Sequence, residues 1–255
     1  MAKYIKSVQK AIDILDYIAE KGEVGVTELS KKFSMSKSSA HGYLNTFFKN
    51  NWIDKNDVTD KYKLGLHLFE LGNFVRDGFK IREIAIPYMK KIVDKTGETV
   101  HLTLLDNGEV VYLESAQPEN KLSIASIAGR RAPLYCTGVG KAILAFKSEE
   151  FIDDLLNKIE LKRFTVNTIT DPDSIKKNLK KKKKRGYSID NAEHEEGVIC
   201  VGVPIYNAEN EVFASLSLTG PSPRIKDPKI EEYSIILKEA ALEISRDIGW
   251  SRSNF

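Results

Sequence analysis

Cysteine is nearly absent from these 255 residues: Cys136 and Cys200 stand far apart, with no CxxC spacing. A disulfide framework is thereby excluded, and a reducing compartment fits better. Long apolar runs are missing too. None approaches the roughly 18 residues that span a bilayer, and the N-terminus MAKYIKSVQK lacks the apolar stretch of a secretory signal. The expected location is the cytoplasm, with no membrane partner. Net charge is only +3, too small to argue for nucleic acid by itself, so DNA binding would have to come from local placement of Lys and Arg.

Catalytic signatures also fail on inspection. Gly138-Val139-Gly140-Lys141 lacks the earlier Gly and the following Ser/Thr of a P-loop, because Tyr135 and Ala142 occupy those places. Ile143 likewise breaks a dinucleotide fingerprint, and Glu193-His194-Glu195-Glu196 is not HExxH. Cys136, Cys200, His101 and His194 could build a zinc site or a Cys–His nucleophile only by folding together, and a lone Cys ordinarily packs as a small apolar residue. No cofactor, metal or catalytic residue is expected.

What is present is periodic. Val8, Ala11, Ile12, Leu15, Ile18 and Ala19 fall at helical spacing, and Gly22 supplies a stop. A short second helix follows with Thr27 as its expected N-cap, then a break at Ser34-Met35. A third helix runs over about 36–50, capped by Ser36 and stapled by Met35 and Ala40, with Leu44, Phe47 and Phe48 as its core stripe. Trp52-Ile53 and Lys61–Leu64 read as strands joined by the turn Asn56–Asp60. Helix, helix, helix, hairpin is the order of a winged helix-turn-helix, expected over 1–65. Recognition helices offer their N-terminal residues to base edges. Ser36, Lys37, Ser38, Ser39, His41 and Tyr43, with Lys61 and Lys63 on the hairpin, are therefore the candidate contacts to double-stranded DNA; the bland alternative is a capped, solvated helix.

An apolar helix over 66–80 is expected as a linker that pairs with its copy in a second subunit or packs on its own first domain. From Ile81 the pattern becomes α+β: a helix to about Lys95, strands at Thr99–Leu105 and Glu109–Glu114 around the hairpin turn Asn107-Gly108, and a third strand near Leu122–Ile127. Helices near Gly138, 148–157 and 171–185 follow, then strands Gly197–Tyr206 and Glu211–Thr219 and a helix over about 227–248. Hairpin-paired strands bracketed by helices indicate an antiparallel sheet over 81–255. The run Lys180–Lys184 with Arg185 reads as a solvated helix end, with cations favoured there by the helix dipole; the alternative is a second DNA-contacting patch, for which position in the sequence gives no support.

Three segments resemble one known family. SVQKAIDILDYIAEKGEVGVTELSKKFSMSKSSAHGYLNTFFKNNWI is similar to the N-terminal domain of IclR-type bacterial transcription regulators; AGRRAPLYCTGVGKAILAF and RGYSIDNAEHEEGVICVGVPIYNAENEVFASLSLTGPSPRI resemble segments of their C-terminal domain. The resemblance implies a GAF/profilin-like effector domain, homodimers often paired into homotetramers, and a small-molecule effector, often a carboxylate metabolite, that changes affinity for an operator, usually as a repressor. Carried over by position, it implies an effector pocket of Gly138, Val139, Asp190, Cys200, Ser217 and Thr219 with Val198 and Ile124 as apolar walls. Gly138 and Gly140 would leave helix N–H groups free for an anion. The sequence departs from the family at Gly42, where a basic residue is usual, at Ser34, where Gly is common, and at Thr219, where Ser is usual. The rival expectations are a small-molecule enzyme built on Cys200 and a sensor that binds proteins instead of DNA.

Overall fold

A computed structural model describes residues 5–119 and 128–251 and divides into two compact units, Met1–Gly78 and Phe79–Phe255. In the first unit, α1 (Lys6–Lys21) buries Ile14 and Ile18, one helical turn apart, and ends at Gly22 with φ 78°. Val8 and Ile12 of this helix and Ile5 at its N-cap stay exposed, so the helix has a second apolar face that the unit's own core does not use. α2 (Val26–Lys32) has Gly25 as N-cap and no side-chain cap; Thr27 lies one residue inside the helix and corrects the expected start. α3 (Lys37–Lys49) is capped as expected, the Ser36 Oγ accepting the Ser39 N–H at 3.0 Å, a contact worth about 1 kcal/mol. Leu44 is buried, but Phe48 is 46% exposed and leans edge-on against Tyr62.

β1 (Ile53–Asn56) and β2 (Lys61–Leu64) pair antiparallel with Ile53 opposite Leu64. Asn56 Oδ1 accepts the N–H groups of Val58 and Thr59, which closes the turn. The hairpin is also tied back to the segment before α2, because Val24 and Tyr62 exchange both backbone hydrogen bonds at 2.9 and 2.8 Å. Ile14, Ile18, Val24, Leu29, Ala40, Leu44, Ile53 and Tyr62 form the core. α4 (Leu66–Asp77) belongs to this unit yet buries none of its residues.

The second unit is a sheet between two helical layers. Its strands are β3 (Thr99–Asp106), β4 (Glu109–Ala116), β5 (Arg131–Pro133), β6 (Ser188–Asn191), β7 (Val198–Tyr206) and β8 (Val212–Pro221). They run in the order β5-β4-β3-β8-β7-β6, with every neighbouring pair antiparallel. Asn107 and Gly108 both take positive φ, 49° and 82°, as the hairpin turn between β3 and β4 requires. Strand alternation sorts the two faces. Val100, Leu102, Val201, Val203, Leu216 and Leu218 pack against α5 (Lys80–Thr96) and α9 (Lys229–Asp247). The other face meets α6 (Gly138–Leu144), α7 (Glu149–Lys158) and α8 (Pro172–Arg185) through Val110, Ala132, Val139, Ile143, Ile152, Leu155, Ile175 and Leu179.

β5 and β6 are strands the sequence pattern did not announce; each has four residues or fewer and takes its place by pairing with a longer neighbour. The expected strand at 122–127, with Ile124, lies outside the described residues. Lys182 corrects the reading of its run as solvated: it is buried, donates to Asn178 Oδ1 and faces the interior from α8. No helix among the described residues is long and apolar enough to cross a membrane.

Candidate functional site

Two places gather the candidate residues. On the first unit, Ser36, Lys37, Ser38, Ser39 and His41 all stand exposed at the start of α3, and Lys61 and Lys63 are exposed on β2, on the face opposite the buried Tyr62. The cap of Ser36 leaves the Lys37 and Ser38 side chains pointing outward on the first turn, where the helix dipole favours phosphate. Tyr43 is different: it is half-buried against the core, and its hydroxyl reaches the Ser7 carbonyl at 3.5 Å. Gly42 is exposed, and a Cβ there would meet nothing within 4 Å. Asn45, one turn beyond His41, is an exposed member of this face that sequence reasoning passed over.

In the second unit the register brings distant segments into two neighbouring rows. Asp190 pairs with Cys200, Cys200 with Thr219, and Ser217 with His101. α6 crosses this polar face very closely. Ser188 Oγ donates to the Gly138 carbonyl, and Ser215 Oγ donates to that of Val139 at 3.1 Å. A Cβ at Gly138 would lie 2.8 Å from the Cys200 Cβ, and one at Gly202 would lie 2.5 Å from the Gly138 oxygen. Only glycine at both positions permits the approach.

Between the start of α6 and the sheet lies a cavity of about 120 Å³ lined by Gly138, Val139, Asp190, Val198, Cys200, Ser217 and Thr219. All the expected pocket residues within the described regions therefore meet. The lining is completed by His101, Tyr112, Ala132, Thr137, Arg130, Arg131, His194 and Glu195, which sequence reasoning did not place there. The alternation Thr99, His101, Thr103 on β3, polar at every second position and buried, is the signal that could have found His101. A cavity of about 150 Å³ accommodates benzene, so this one fits a small molecule.

Its electrostatics are mixed. Burial pushes His101 down to about 4, so its ring is neutral; it sits edge-on to Tyr112 at 5.3 Å, and its Nδ1 has no partner among the described residues. Burial raises the Asp190 carboxyl to about 6, against the pull of Lys141 and of the Glu193 N–H, which donates to Oδ1 at 2.7 Å. Arg130 and Arg131 supply positive charge, the latter ion-paired with Asp106. Thr219 Oγ1 donates to the Cys200 Sγ at 3.2 Å, and burial holds that thiol protonated. Cys136 is pushed up to about 12 for the same reason. Neither cysteine is a thiolate nucleophile. The Gly140 N–H is already bound by Thr137 Oγ1 at 3.0 Å, which corrects the expectation that it is free for an anion.

Beside the cavity runs a buried ion cluster. Lys141, 1% exposed on α6, pairs with Glu193. Burial first, and then the nearby Lys141, pushes Lys182 down to about 7. The Glu193 carbonyl accepts Thr168 Oγ1 at 2.6 Å. The segment that carries Asp190, His194 and Glu195 is thus pinned to the helix that carries Gly138 and Val139, and the cluster fixes both walls of the cavity. Among the described residues no group of His, Cys, Asp and Glu is placed to hold a metal ion.

Comparison with known proteins covers most of the chain. Residues 7–57 match the IclR helix-turn-helix domain, and residues 74–246 match the description "Bacterial transcriptional regulator IclR C-terminal". The chain is 35% identical to the HTH-type transcriptional regulator XynR of Escherichia coli, over 96% of this chain and 98% of that one. It is 41% identical to the Thermotoga maritima IclR of known crystal structure, covering 97% and 100% of the two chains with a TM-score of 0.78. An IclR homologue from Microbacterium hydrocarbonoxydans, crystallised with 4-hydroxybenzoate, shares the fold at TM-score 0.80 and 24% identity over 94% of this chain and 98% of that one. The matched domains are those of transcription regulators, not of enzymes.

Proposed function

The chain belongs to the IclR family of bacterial transcription regulators, and from that premise we propose that it is an effector-responsive regulator, acting as a repressor, with a small carboxylate metabolite as its effector. The observation that carries the reading is the cavity under α6. It gathers residues from segments as far apart as His101 and Thr219, is closed by the start of a helix, and combines apolar walls with hydroxyls, two arginines and an ionisable Asp190. A 4-hydroxybenzoate complex of a homologue supports a ligand of that size and charge.

Operator contact falls to Ser36, Lys37, Ser38, Ser39 and His41, with Lys61 and Lys63 on the wing and Tyr43 bracing α3 from behind. Because Gly42 stands where the family usually carries a basic residue, one phosphate or base contact of the recognition helix is lost. The exposed apolar residues of α1 and α4, among them Phe69 and Phe74 at 65% and 79%, support a homodimer joined through these helices, which would set the spacing of two recognition helices against a symmetric operator. The effector acts by population shift, through its differential affinity for two arrangements of the dimer.

Fluorescence anisotropy on DNA from upstream of its own and neighbouring genes tests the reading. Expected is binding that resists unrelated competitor DNA, falls steeply with log salt and is released by a small carboxylate. Equal affinity for unrelated DNA with and without carboxylates would overturn it.

A further inference from the structure

We infer that the solvent face of α8 is a second phosphate-binding surface for duplex DNA, carried by the C-terminal unit and separate from the helix-turn-helix. The inference rests on the DNA-binding reading above and adds a site that reading does not contain.

Charge is the first argument. α8 holds Lys176, Lys177, Lys180–Lys184 and Arg185 against the single acid Asp173: eight cations, one anion, net +7. The chain as a whole is only +3, so everything outside α8 sums to −4. The unit Met1–Gly78, with twelve Lys and Arg against ten Asp and Glu, is net +2. Positive charge is thus concentrated on one helix, and a single-sign patch of this kind attracts polyanions.

Placement is the second. Lys176, Lys177, Lys180, Lys181 and Lys184 line one shallow concavity together with Asp173. Positions i, i+1, i+4, i+5 and i+8 share a helix face, and at 1.5 Å per residue the strip is about 12 Å long. A duplex segment of that length carries about seven phosphate charges. Lys182 alone turns inward. Lys176 and Lys180 reach Asp153 and Glu149 of α7 at 2.5 and 3.1 Å, whereas Lys177, Lys181 and Lys184 form no ion pair among the described residues.

The arrangement costs the helix stability. Lys176 and Lys180, Lys177 and Lys181, and Lys180 and Lys184 are like charges four apart, which weaken a helix. The helix dipole favours the cations of the last turn but gives nothing to Lys176 and Lys177. Solubility alone is served by mixed signs. The concavity contains no apolar or aromatic side chain, so it lacks the anchors of a protein interface and the inserting residues of a membrane-bound helix. Lysines without apolar neighbours suit a phosphate backbone, where they act as point charges and carry no sequence information. The surface therefore adds affinity and salt dependence rather than specificity.

The test compares the full-length protein with the variant Lys177→Gln/Lys181→Gln/Lys184→Gln by anisotropy across a salt series. One long duplex from upstream of its own gene is used, and one unrelated duplex of the same length. With about 0.9 of slope in log K per phosphate contact, the variant is expected to lose about 2.7 of the slope on both duplexes. Its thermal midpoint is expected to stay level or rise, because repulsion is relieved, so lost binding is not lost folding. Equal slopes for variant and wild type overturn the α8 surface and leave the regulator reading intact. Absence of DNA binding by the wild type overturns both.

Discussion

Ser34 takes φ 47° in the turn between α2 and α3. That left-handed conformation costs an L-residue roughly 1–2 kcal/mol, and glycine adopts it freely. Ser34→Gly is therefore expected to raise the unfolding free energy by about 1 kcal/mol, read as a higher denaturant midpoint with unchanged slope; a lower midpoint would show that the Ser side chain is worth more than the strain. Asp190 makes a prediction about pH. Burial places its carboxyl at about 6, so it is largely ionised at neutral pH and faces any carboxylate in the cavity with like charge. Below 6 it becomes a neutral O–H donor. Affinity for a carboxylate effector should rise as pH falls through about 6, and calorimetry on Asp190→Asn should find that dependence flattened. An unchanged pH profile in Asp190→Asn would place the titrating group elsewhere.

At the scale of elements, α4 and α8 each carry a face that their own unit does not explain. Exposed Leu66, Phe69, Leu71, Phe74 and Val75 on α4 form the kind of patch that marks an interaction site. In the proposed dimer, Phe69→Glu with Phe74→Glu should leave a species that sediments as monomer, while an intact dimer would move the interface off α4. On α8 the inward Lys182 is held at about 7, below its ordinary 10.5, mainly by burial. Its charged form is favoured in the unfolded chain, so the penalty on folding is absent above about 10.5 and grows as pH falls toward 7. Lys182→Met should thus raise the thermal midpoint, and by more at pH about 6 than at pH about 10. A gain that does not vary with pH would mean that packing, not charge, decides the site.

At the scale of the whole molecule, the proposed function requires that a ligand held by one unit change DNA binding by the other. Coupling of the usual size, about 1–3 kcal/mol, shifts operator affinity roughly 5- to 150-fold. Ser217 lies opposite His101 in the cavity lining, so on the proposed function Ser217→Ala should abolish release by effector and leave effector-free DNA binding unchanged. A normal response would move the pocket. For the proposed effector, a cavity of about 120 Å³ whose lining includes Arg130 and Arg131 suits a compact anion rather than a nucleotide.

Local chemistry was enough to read much of this from sequence. Apolar spacing, the Ser36 cap, the stop at Gly22 and the Asn107-Gly108 turn each depend on neighbours within a few residues, so the helix-turn-helix, its hairpin and the antiparallel character of the second unit were legible. So were seven cavity residues, through strand parity and family resemblance together. Other features depend on what lies across the fold. Lys182 reads as one lysine among five until tertiary packing turns it against Lys141. Thr137 takes the Gly140 N–H that α6 otherwise leaves open. β5 and β6 are too short for periodicity and exist through their neighbours' hydrogen bonds. His101, Arg131 and His194 become one lining only because antiparallel pairing joins β5 through β4 to β3, and β3 through β8 to β7, which follows the segment that carries His194. Sequence determines which residues can cap, turn or alternate; burial and register, which are properties of the folded chain, decide which charges are shielded and which side chains meet.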